Sequence, residues 1–366
     1  MLVAAAEAAP LRSLERLRLE LDTGIVSLIG PNGAGKTNFL EALYFALTGR
    51  SFRTGDRRDL IPFGSSLARA EAVVRGEDGI ERTLMASVSR TEGRRHLLDG
   101  NLADPATLAR HRPPVAVFSP DRLTLVKGPP GERRAHLDGF VAARWPSRSE
   151  LRRRYGQALA QRNALIARIA AGASGAGELD TWDSSLAEVA AALTEARGEA
   201  VAELAPAFAV AAEELGLAGG ASLEYAPRSS GSAEEVRAGL SERRDADLRL
   251  GRSSWGPHLD ELKLLVGEGR SLRRYGSQGE QRAGLLALIF AEREALMEAR
   301  RVTPLLLLDD VMSELDPDRR ERLVARLARG GQTLITAAAV DSVPAAARER
   351  LVQMPAGSGG GLAAVA

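Results

Sequence analysis

Residues 30–37 carry the stretch that decides the fold: Gly30-Pro31-Asn32-Gly33-Ala34-Gly35-Lys36-Thr37. It fits the pattern G-x-x-x-x-G-K-[ST], which cradles phosphate groups when it lies between a strand and a helix. Residues 24–29, just before it, are mostly apolar and predict a short buried strand. Residues 37–47 have apolar side chains at helical spacing, and Gly49 stands where a helix commonly ends. The sequence therefore predicts the context that this motif needs.

We call residues 30–37 the phosphate loop. Backbone N–H groups at a helix N-terminus attract phosphate oxygens, and glycines let the backbone approach them closely, so every residue of the loop is a candidate nucleotide-binding residue. Lys36 would neutralise the β and γ phosphates, and the Thr37 hydroxyl would ligate magnesium. The alternative is a glycine-rich turn that matches by chance. The predicted strand and helix on either side make a chance match improbable. The scarcity of lysine does so too, since this arginine-rich chain has only two lysines besides Lys36, namely Lys127 and Lys263.

The composition limits the class of protein. The length of 366 residues permits about two domains, and 45% hydrophobic with 27% charged residues is ordinary for a soluble globular chain. The net charge of +1 means that any basic surface must be local. The absence of cysteine excludes disulfides, thiolate metal sites and cysteine catalysis. Neither a signal peptide nor an apolar run near the ~18 residues of a membrane helix is present. We expect a cytoplasmic protein outside the membrane.

A second motif lies far downstream. Residues 304–308 form an apolar run that ends in Asp309 and Asp310, which predicts a central parallel strand buried on both faces. Open α/β sheets bind ligands at the carboxyl ends of their strands, so these carboxylates would face the phosphate loop. Asp309 would hold magnesium, and Asp310 would orient or deprotonate an attacking water. The alternative is two solvated aspartates at a turn, which the presence of the phosphate loop disfavours.

Three weaker pieces accompany this motif. Residues 275–282 precede a strongly helical stretch, and Ser277 and Gly279 would present N–H donors to an anion at the helix N-terminus. Residues 313–317 follow the two aspartates directly, and residues 331–336 predict another strand that ends in a hydroxyl. Each piece alone is a weak signal, and their order along the chain gives them weight.

That order resembles the layout of ABC-type ATPase heads. Residues 277–280, Ser-Gln-Gly-Glu, resemble the signature Ser-Gly-Gly-Gln, and residues 313–316, Ser-Glu-Leu-Asp, resemble the D-loop. Within that class the chain is similar to the RecF family, whose heads are related to those of SMC proteins. The similar strings run in family order across nearly the whole chain: 35–38, 40–42, 49–54, 117–121, 127–129, 133–134, 137–138, 161–163, 256–258, 277–282 and 307–316.

The resemblance implies an α/β fold, an ABC-type ATPase head with a mixed sheet and flanking helices, plus an inserted, mostly helical lobe. We expect the first part of the head at residues 1–130 and the lobe at 131–250, with helices over 132–169 and 179–215. The second part of the head is expected at 251–356, followed by a flexible tail, 357–366. The lobe is short, whereas SMC proteins insert long coiled coils at the same place.

Some positions depart from the family pattern. Leu11-Arg12-Ser13-Leu14 stands where the family usually has Phe-Arg-Asn-Tyr, and Arg12 is expected still to reach the nucleotide. Leu259 stands where the family has an arginine, so the role of that arginine does not carry over. Many ABC heads place a glutamine near residues 119–121 and a histidine at the switch strand. This chain has neither, so we expect slow hydrolysis.

The predicted lobe has helices of opposite charge. The first is basic and the second mostly acidic, which suits either a phosphate-binding arm or two helices with complementary solvated faces. The charged residues concerned are Arg144, Arg148, Arg152, Arg153, Arg154, Arg162 and Arg168 on the first helix, and Glu178, Asp183, Glu188, Glu195, Glu199 and Glu203 on the second.

The family resemblance implies a function. ATP with Mg²⁺ would join two protomers, the signature Ser277 of each capping the γ-phosphate held by Lys36 of the other. The dimer would bind DNA, single-stranded or gapped duplex, in recombinational repair, with RecO and RecR helping to load RecA. ATP hydrolysis would be weak and DNA-stimulated.

Two other classes of protein share part of this pattern. The ATPase subunit of an ABC membrane transporter shares the head motifs but would carry the Leu-Ser-Gly-Gly-Gln signature, a glutamine loop and a switch histidine. A small-molecule kinase would explain the phosphate loop and leave the signature and the D-loop unexplained.

Overall fold

The computed structural model describes residues 1–21, 23–229 and 231–354, so the predicted tail at 357–366 lies outside the described residues. The chain divides into two compact units. The first comprises Met1–Leu123, Glu214–Gly216 and the described residues from Leu296 on, and the second comprises Thr124–Glu213 and Leu217–Ala295. The predicted boundaries at residues 130 and 250 stay a prediction, because compact packing alone does not say which residues form the ATPase head.

The strands, in chain order, are β1 (Leu2–Ala8), β2 (Leu17–Glu20), β3 (Gly24–Ile29), β4 (Leu67–Arg75), β5 (Glu81–Ser89), β6 (Gly93–Leu98), β7 (Asn101–Leu102), β8 (Val115–Phe118), β9 (Ala221–Ala226), β10 (Glu261–Val266), β11 (Arg270–Ser271), β12 (Leu305–Leu308), β13 (Gln332–Ala337) and β14 (Leu351–Gln353). The α-helices are α1 (Lys36–Thr48), α2 (Pro105–Arg110), α3 (Thr124–Lys127), α4 (Pro130–Arg144), α5 (Leu151–Ala170), α6 (Leu179–Glu214), α7 (Ala233–Glu242), α8 (Arg244–Leu250), α9 (Leu272–Tyr275), α10 (Gln278–Arg300) and α11 (Pro317–Leu327).

A five-stranded parallel sheet, in the order β14-β3-β13-β12-β8, forms one layer of the first unit. All four leucines of β12 are buried, as the apolar run predicts for a strand with parallel neighbours on both sides. The predicted strands at 24–29 and 331–336 are present as β3 and β13. Because parallel strands end at one edge, the sheet brings the carboxyl ends of β3, β12 and β13 to the same side.

A six-stranded antiparallel sheet, in the order β2-β1-β4-β5-β6-β7, forms a second layer of the same unit. Buried and more accessible residues alternate along β4, which is typical of a strand with one face on the core. Helix α1 packs against β1, β4 and β5 of this sheet and against β13 of the parallel sheet. Phe39, Leu43 and Leu47 of α1 are fully or almost fully buried in the core that it shares with both sheets. The sheet layers thus fix the position of the helix that follows the phosphate loop.

The second unit is mostly helical and also contains the three-stranded antiparallel sheet β11-β10-β9. The prediction of one helix over 132–169 was wrong, because α4 ends at Arg144 and α5 begins at Leu151. Pro146 opens a short 3₁₀ turn between them, and proline lacks the N–H that a continuing helix needs. The helix predicted over 179–215 is present as α6 and tolerates Pro206 within it.

Candidate nucleotide-binding site

The phosphate loop joins β3 to α1, as predicted. Gly33 and Gly35 adopt left-handed backbone angles, with φ of 84° and 88°, which glycine reaches without a steric penalty. Gly35 is also the residue that precedes α1, and a Cβ there would lie 2.6 Å from Leu14 Cδ2. The loop is closed by the N–H of Ala34, which donates to Pro31 O at 3.2 Å. The glycines therefore allow a backbone that wraps tightly at the start of a helix.

Lys36, the first residue of α1, folds back over the loop. Its Nζ donates to Gly30 O at 2.6 Å and to Pro31 O at 2.9 Å, and the side chain is buried. Burial lowers the pKa of Lys36, and the nearby carboxylates of Asp310 and Asp309 oppose that shift. The ammonium thus donates its hydrogen bonds to neutral carbonyls in a partly desolvated place, where an anionic ligand would bind favourably.

Asp309 lies directly after β12 and connects two distant parts of the chain. Thr37 Oγ1 donates to Asp309 Oδ1 at 2.8 Å, and Thr336 Oγ1 of β13 donates to the same oxygen at 2.8 Å. The Asp309 side chain is buried, and burial raises the pKa of its carboxyl while the two hydroxyl donors lower it. The structure therefore brings together the two residues predicted to hold magnesium.

Asp310 has an unusual backbone. Its φ is 48°, in the left-handed region that non-glycine residues seldom occupy. Its N–H donates to Thr336 Oγ1 at 2.8 Å, and its carbonyl accepts from Ser313 Oγ at 3.0 Å. Hydrogen bonds to the N–H and to the carbonyl of Asp310 thus support this conformation at the carboxyl edge of the sheet.

The residues present fit a bound Mg²⁺. Among the described residues, no group of three or more His, Asp or Glu side chains could hold a metal by itself. Mg²⁺ prefers oxygen ligands and is usually bound through one or two protein groups, with phosphate oxygens and water filling the other positions. The Thr37 hydroxyl and the Asp309 carboxylate, 2.8 Å apart, are such a pair.

Arg12 lies close to α1 and is held there by Glu41. Its Nε and Nη2 donate to the two Glu41 oxygens, both at 2.9 Å, and the Glu41 side chain is fully buried. The hydrogen bond from Arg12 and the charge of Glu41 raise the pKa of the guanidinium. Ser51 and Arg53 donate to the same carboxylate. That Arg12 reaches a nucleotide stays a prediction.

A cleft of about 750 Å³ adjoins the start of α1. Asn38 of α1 lines it, with Nδ2 donating to Ser13 Oγ at 2.8 Å. Phe63 lines it too, fully exposed in a turn closed by the N–H of Ser65, which donates to Pro62 O at 3.1 Å. Leu11 and Leu14, at the positions of the family's aromatic residues, are buried.

The signature residues lie in the second unit. Ser277 precedes α10, and the two ends of a capping box are present: Ser277 N donates to Glu280 Oε2 at 2.7 Å, and Glu280 N donates to Ser277 Oγ at 3.2 Å. Gln278 and Gly279 lie in the first turn of α10, where backbone N–H groups have no carbonyl partner within the helix. The predicted donors thus lie at a helix N-terminus.

Three arginines of the predicted basic helix pair with carboxylates of the predicted acidic helix. Arg144 Nε contacts Glu203 Oε1 at 2.7 Å, and Arg148 Nη1 contacts Glu199 Oε2 at 2.5 Å. Arg162 is fully buried and contacts Asp183 at 2.7 Å. These pairs favour complementary helix faces over a phosphate-binding arm.

Two residues in this region were not singled out from the sequence. Thr336 was noted only as a hydroxyl at a strand end, and Glu41 only as part of a family string. The signal for Glu41 is a carboxylate inside an apolar helix stripe, since a buried charge needs a partner. The hydroxyl at the end of a predicted strand marks Thr336 only weakly, because its contacts depend on the order of the strands in the sheet.

None of the helices in the described part of the chain combines the length and the apolarity needed to cross a bilayer.

Comparisons with known proteins agree on one family. The model of the RecF/RecN/SMC N terminal domain matches residues 4–357. The "DNA replication and repair protein RecF" of Streptomyces avermitilis is 36% identical over 356 residues, covering 92% of this chain and 93% of the relative. The protein of the same name from Anaeromyxobacter dehalogenans is 38% identical over 331 residues, covering 87% of each.

Solved structures give the same result. The "recombination mediator protein RecF-ATPrS in RecFOR pathway" superposes with a TM-score of 0.84 at 25% identity, covering 99% of this chain and 97% of the other. An SMC head bound to the C-winged helix domain of ScpA has a TM-score of 0.60 at 17% identity, covering 100% of this chain and 97% of the other, and shows the shared fold alone. The expected ABC-type ATPase head is thereby confirmed. The chain belongs to the RecF family of SMC-related ATPases.

Proposed function

We propose that this chain is an ATP-dependent DNA-binding protein whose ATP-bound form is a homodimer and which hydrolyses ATP slowly. The observation that carries the proposal is the hydrogen bond between Thr37 and Asp309, residues 272 positions apart in the sequence. A chance glycine-rich turn would not bring a buried carboxylate to the hydroxyl that the motif assigns to the metal. A second solved RecF structure that this chain resembles, with a TM-score of 0.84 at 26% identity, carries ATP in its name.

Different residues of the chain have different roles in binding and hydrolysing ATP. Lys36 and the N–H groups of the phosphate loop bind the phosphates, and Thr37 with Asp309 would hold Mg²⁺. When bound, the cation supplies positive charge to the phosphate oxygens. Asp310, next to Asp309, orients the attacking water and accepts its proton. The cleft that Phe63 lines is large enough for the nucleoside part of ATP.

The signature acts in a second protomer. The N–H groups of Gln278 and Gly279 and the Ser277 hydroxyl would contact the γ-phosphate bound to the partner's phosphate loop, so ATP completes an isologous interface. The dimer binds single-stranded or gapped duplex DNA, and RecO and RecR assist it in loading RecA. Support for this pathway comes from the names of the relatives, which describe replication, repair and the RecFOR pathway.

The transporter alternative is not favoured. The relatives described above are DNA replication and repair proteins, and the chain lacks the glutamine loop and the switch histidine of transporter subunits. A small-molecule kinase leaves the signature and the D-loop without a role.

Equilibrium titration of gapped duplex DNA with and without ATP tests the proposal. We expect ATP to tighten DNA binding by the wild-type chain and to have no effect on Lys36→Ala, which loses the ammonium that contacts the phosphates. The matched control is Lys263→Ala, an exposed lysine paired with Glu224 at 2.8 Å. Wild-type ATP affinity in Lys36→Ala would overturn the assignment of the phosphate loop.

A further inference from the structure

Thr336, the hydroxyl residue near the end of β13, lies at the centre of the candidate hydrolytic site. It is the second-to-last residue of β13 and is 1% exposed. Its hydroxyl donates to Asp309 Oδ1 at 2.8 Å and accepts the N–H of Asp310 at 2.8 Å. One side-chain oxygen therefore contacts both consecutive aspartates that follow the neighbouring strand.

The contact to Asp310 fixes a backbone conformation. With φ at 48°, Asp310 occupies a region that disfavours residues with a Cβ, so its backbone needs support from its surroundings. Thr336 supplies that support by accepting the Asp310 N–H. The direction of the Asp310 side chain follows from its backbone. By fixing that backbone, the Thr336 hydroxyl helps to set the direction of the Asp310 carboxylate.

The hydrogen bond from Thr336 to Asp309 becomes important when the Thr37 hydroxyl turns from Asp309 to another partner. Asp309 Oδ1 accepts two hydroxyl donors, Thr37 and Thr336. If Thr37 turns toward a cation, as the proposed function requires, Thr336 remains as a hydroxyl donor to that oxygen. The Asp309 carboxylate then keeps its orientation although Thr37 no longer donates to it.

We propose that Thr336 is the positioning residue that sets the geometry of Asp309 and Asp310 for ATP hydrolysis. This inference rests on the proposed function. It makes the hydroxyl, and not the size of the side chain, the feature that turnover requires.

The test compares Thr336→Val, which keeps the shape and removes the hydroxyl, with Thr336→Ser, which keeps the hydroxyl. Thr333→Val is the matched control, because Thr333 is a fully buried threonine of the same strand whose Oγ1 has no hydrogen-bond partner among the described residues. We expect Thr336→Val to lower kcat about tenfold or more with little change in KM for ATP. Thr336→Ser and Thr333→Val should stay within about threefold of wild type.

A second readout needs no nucleotide. The Asp310 amide should exchange its hydrogen slowly in the wild-type chain and in Thr336→Ser, and faster in Thr336→Val. The inference would be overturned if Thr336→Val turned over ATP like wild type. It would also be overturned if Thr333→Val lowered kcat equally, or if Thr336→Ser lowered kcat as much as Thr336→Val. If Thr336→Val does not fold, fast exchange of the wild-type Asp310 amide would overturn it alone. A wild-type chain that fails to bind ATP would instead refute the proposed function.

Discussion

Single residues set the boundaries of the elements that carry the site. Gly49 ends α1 with φ of 64°, and its N–H donates to Phe45 O at 2.7 Å. The His96 ring occupies the place that a Cβ on Gly49 would need. Two independent constraints, a backbone angle and a steric contact, therefore require glycine at this position.

Gly49→Ala should destabilise the fold by about 1–3 kcal/mol, because both constraints are violated at once. Gly156→Ala is the control, since Gly156 lies within α5 with no atom near the added Cβ, and alanine favours helix. Urea unfolding of the two variants measures the difference. Equal stability of Gly49→Ala and wild type would contradict the contact with His96.

His96 makes stability depend on pH. Its side chain is 7% exposed, and burial, with Arg94 and Arg57 nearby, lowers its pKa to about 4. Because the unfolded chain takes up a proton near pH 6.5 and the folded chain does not, the free energy of unfolding should fall as pH drops from 6.5 to 4. The contribution is at most about 3 kcal/mol.

The measurement is urea unfolding between pH 4 and 7 for wild type and for His96→Leu, with His111→Leu as the control. In His96→Leu, we expect the free energy of unfolding to fall less between pH 6.5 and 4 than in wild type. His111→Leu should show the same fall as wild type. Parallel curves for wild type and His96→Leu would contradict the buried neutral imidazole.

Asp309 and Asp310 should differ in function. Asp310→Asn removes the group proposed to accept a proton from water and leaves Lys36, Thr37 and Asp309 in place. We expect ATP affinity to be retained and turnover to fall about 100-fold or more.

Asp309→Asn should weaken Mg²⁺-dependent binding, measured by nucleotide titration at several Mg²⁺ concentrations. If Asp309→Asn spares that binding, the roles of the two aspartates are misassigned.

At the scale of elements, local patterns predicted the strands and helices that have strong periodicity. The strand predicted at 24–29 is present as β3. The break between α4 and α5 was missed although Pro146 marks it in the sequence. The two motifs together predicted that Asp309 lies near Thr37. The contact of Thr336 with Asp309 was beyond local patterns, because it depends on the strand order β3-β13-β12.

The same limit applies to the lobe. Arg162 of α5 contacts Asp183 of α6 at 2.7 Å and Asp247 of α8 at 2.6 Å, and it donates to Ser253 Oγ at 2.7 Å. Sequence alone leaves this arginine open to a role in phosphate binding. The contact between three helices gives it a structural role instead.

Arg162→Leu should therefore destabilise the lobe by about 3 kcal/mol or more, because the buried Asp247 carboxylate loses its guanidinium partner. Asp183 also loses its contact with Arg162 and keeps the one with Arg244. Arg153→Leu, which breaks an exposed pair with Glu150 and an exposed hydrogen bond to Gln157, should cost about 0.5 kcal/mol or less. Thermal or urea unfolding of the two variants makes the comparison. A similar small effect in both would show that the buried network is not a structural anchor.

For the whole molecule, the central claim is that ATP joins two protomers through the signature. Ser277→Arg places a large cation at the proposed interface and leaves the protomer's own phosphate loop intact. DNA affinity should fall with dimerisation, because a surface made of two protomers neutralises more phosphates and releases more counterions. Ser232→Arg is the matched control, since Ser232 begins α7 with the same capping box and its loss costs about 1 kcal/mol as well.

Sedimentation velocity of wild type, Ser277→Arg and Ser232→Arg, with and without ATP, tests this claim most directly. We expect ATP to convert the wild-type chain and Ser232→Arg to dimers, while Ser277→Arg stays monomeric and binds ATP with unchanged affinity. An ATP-induced dimer of Ser277→Arg that holds gapped duplex DNA as tightly as wild type would contradict the two-headed model and favour an ATPase that acts as a single head.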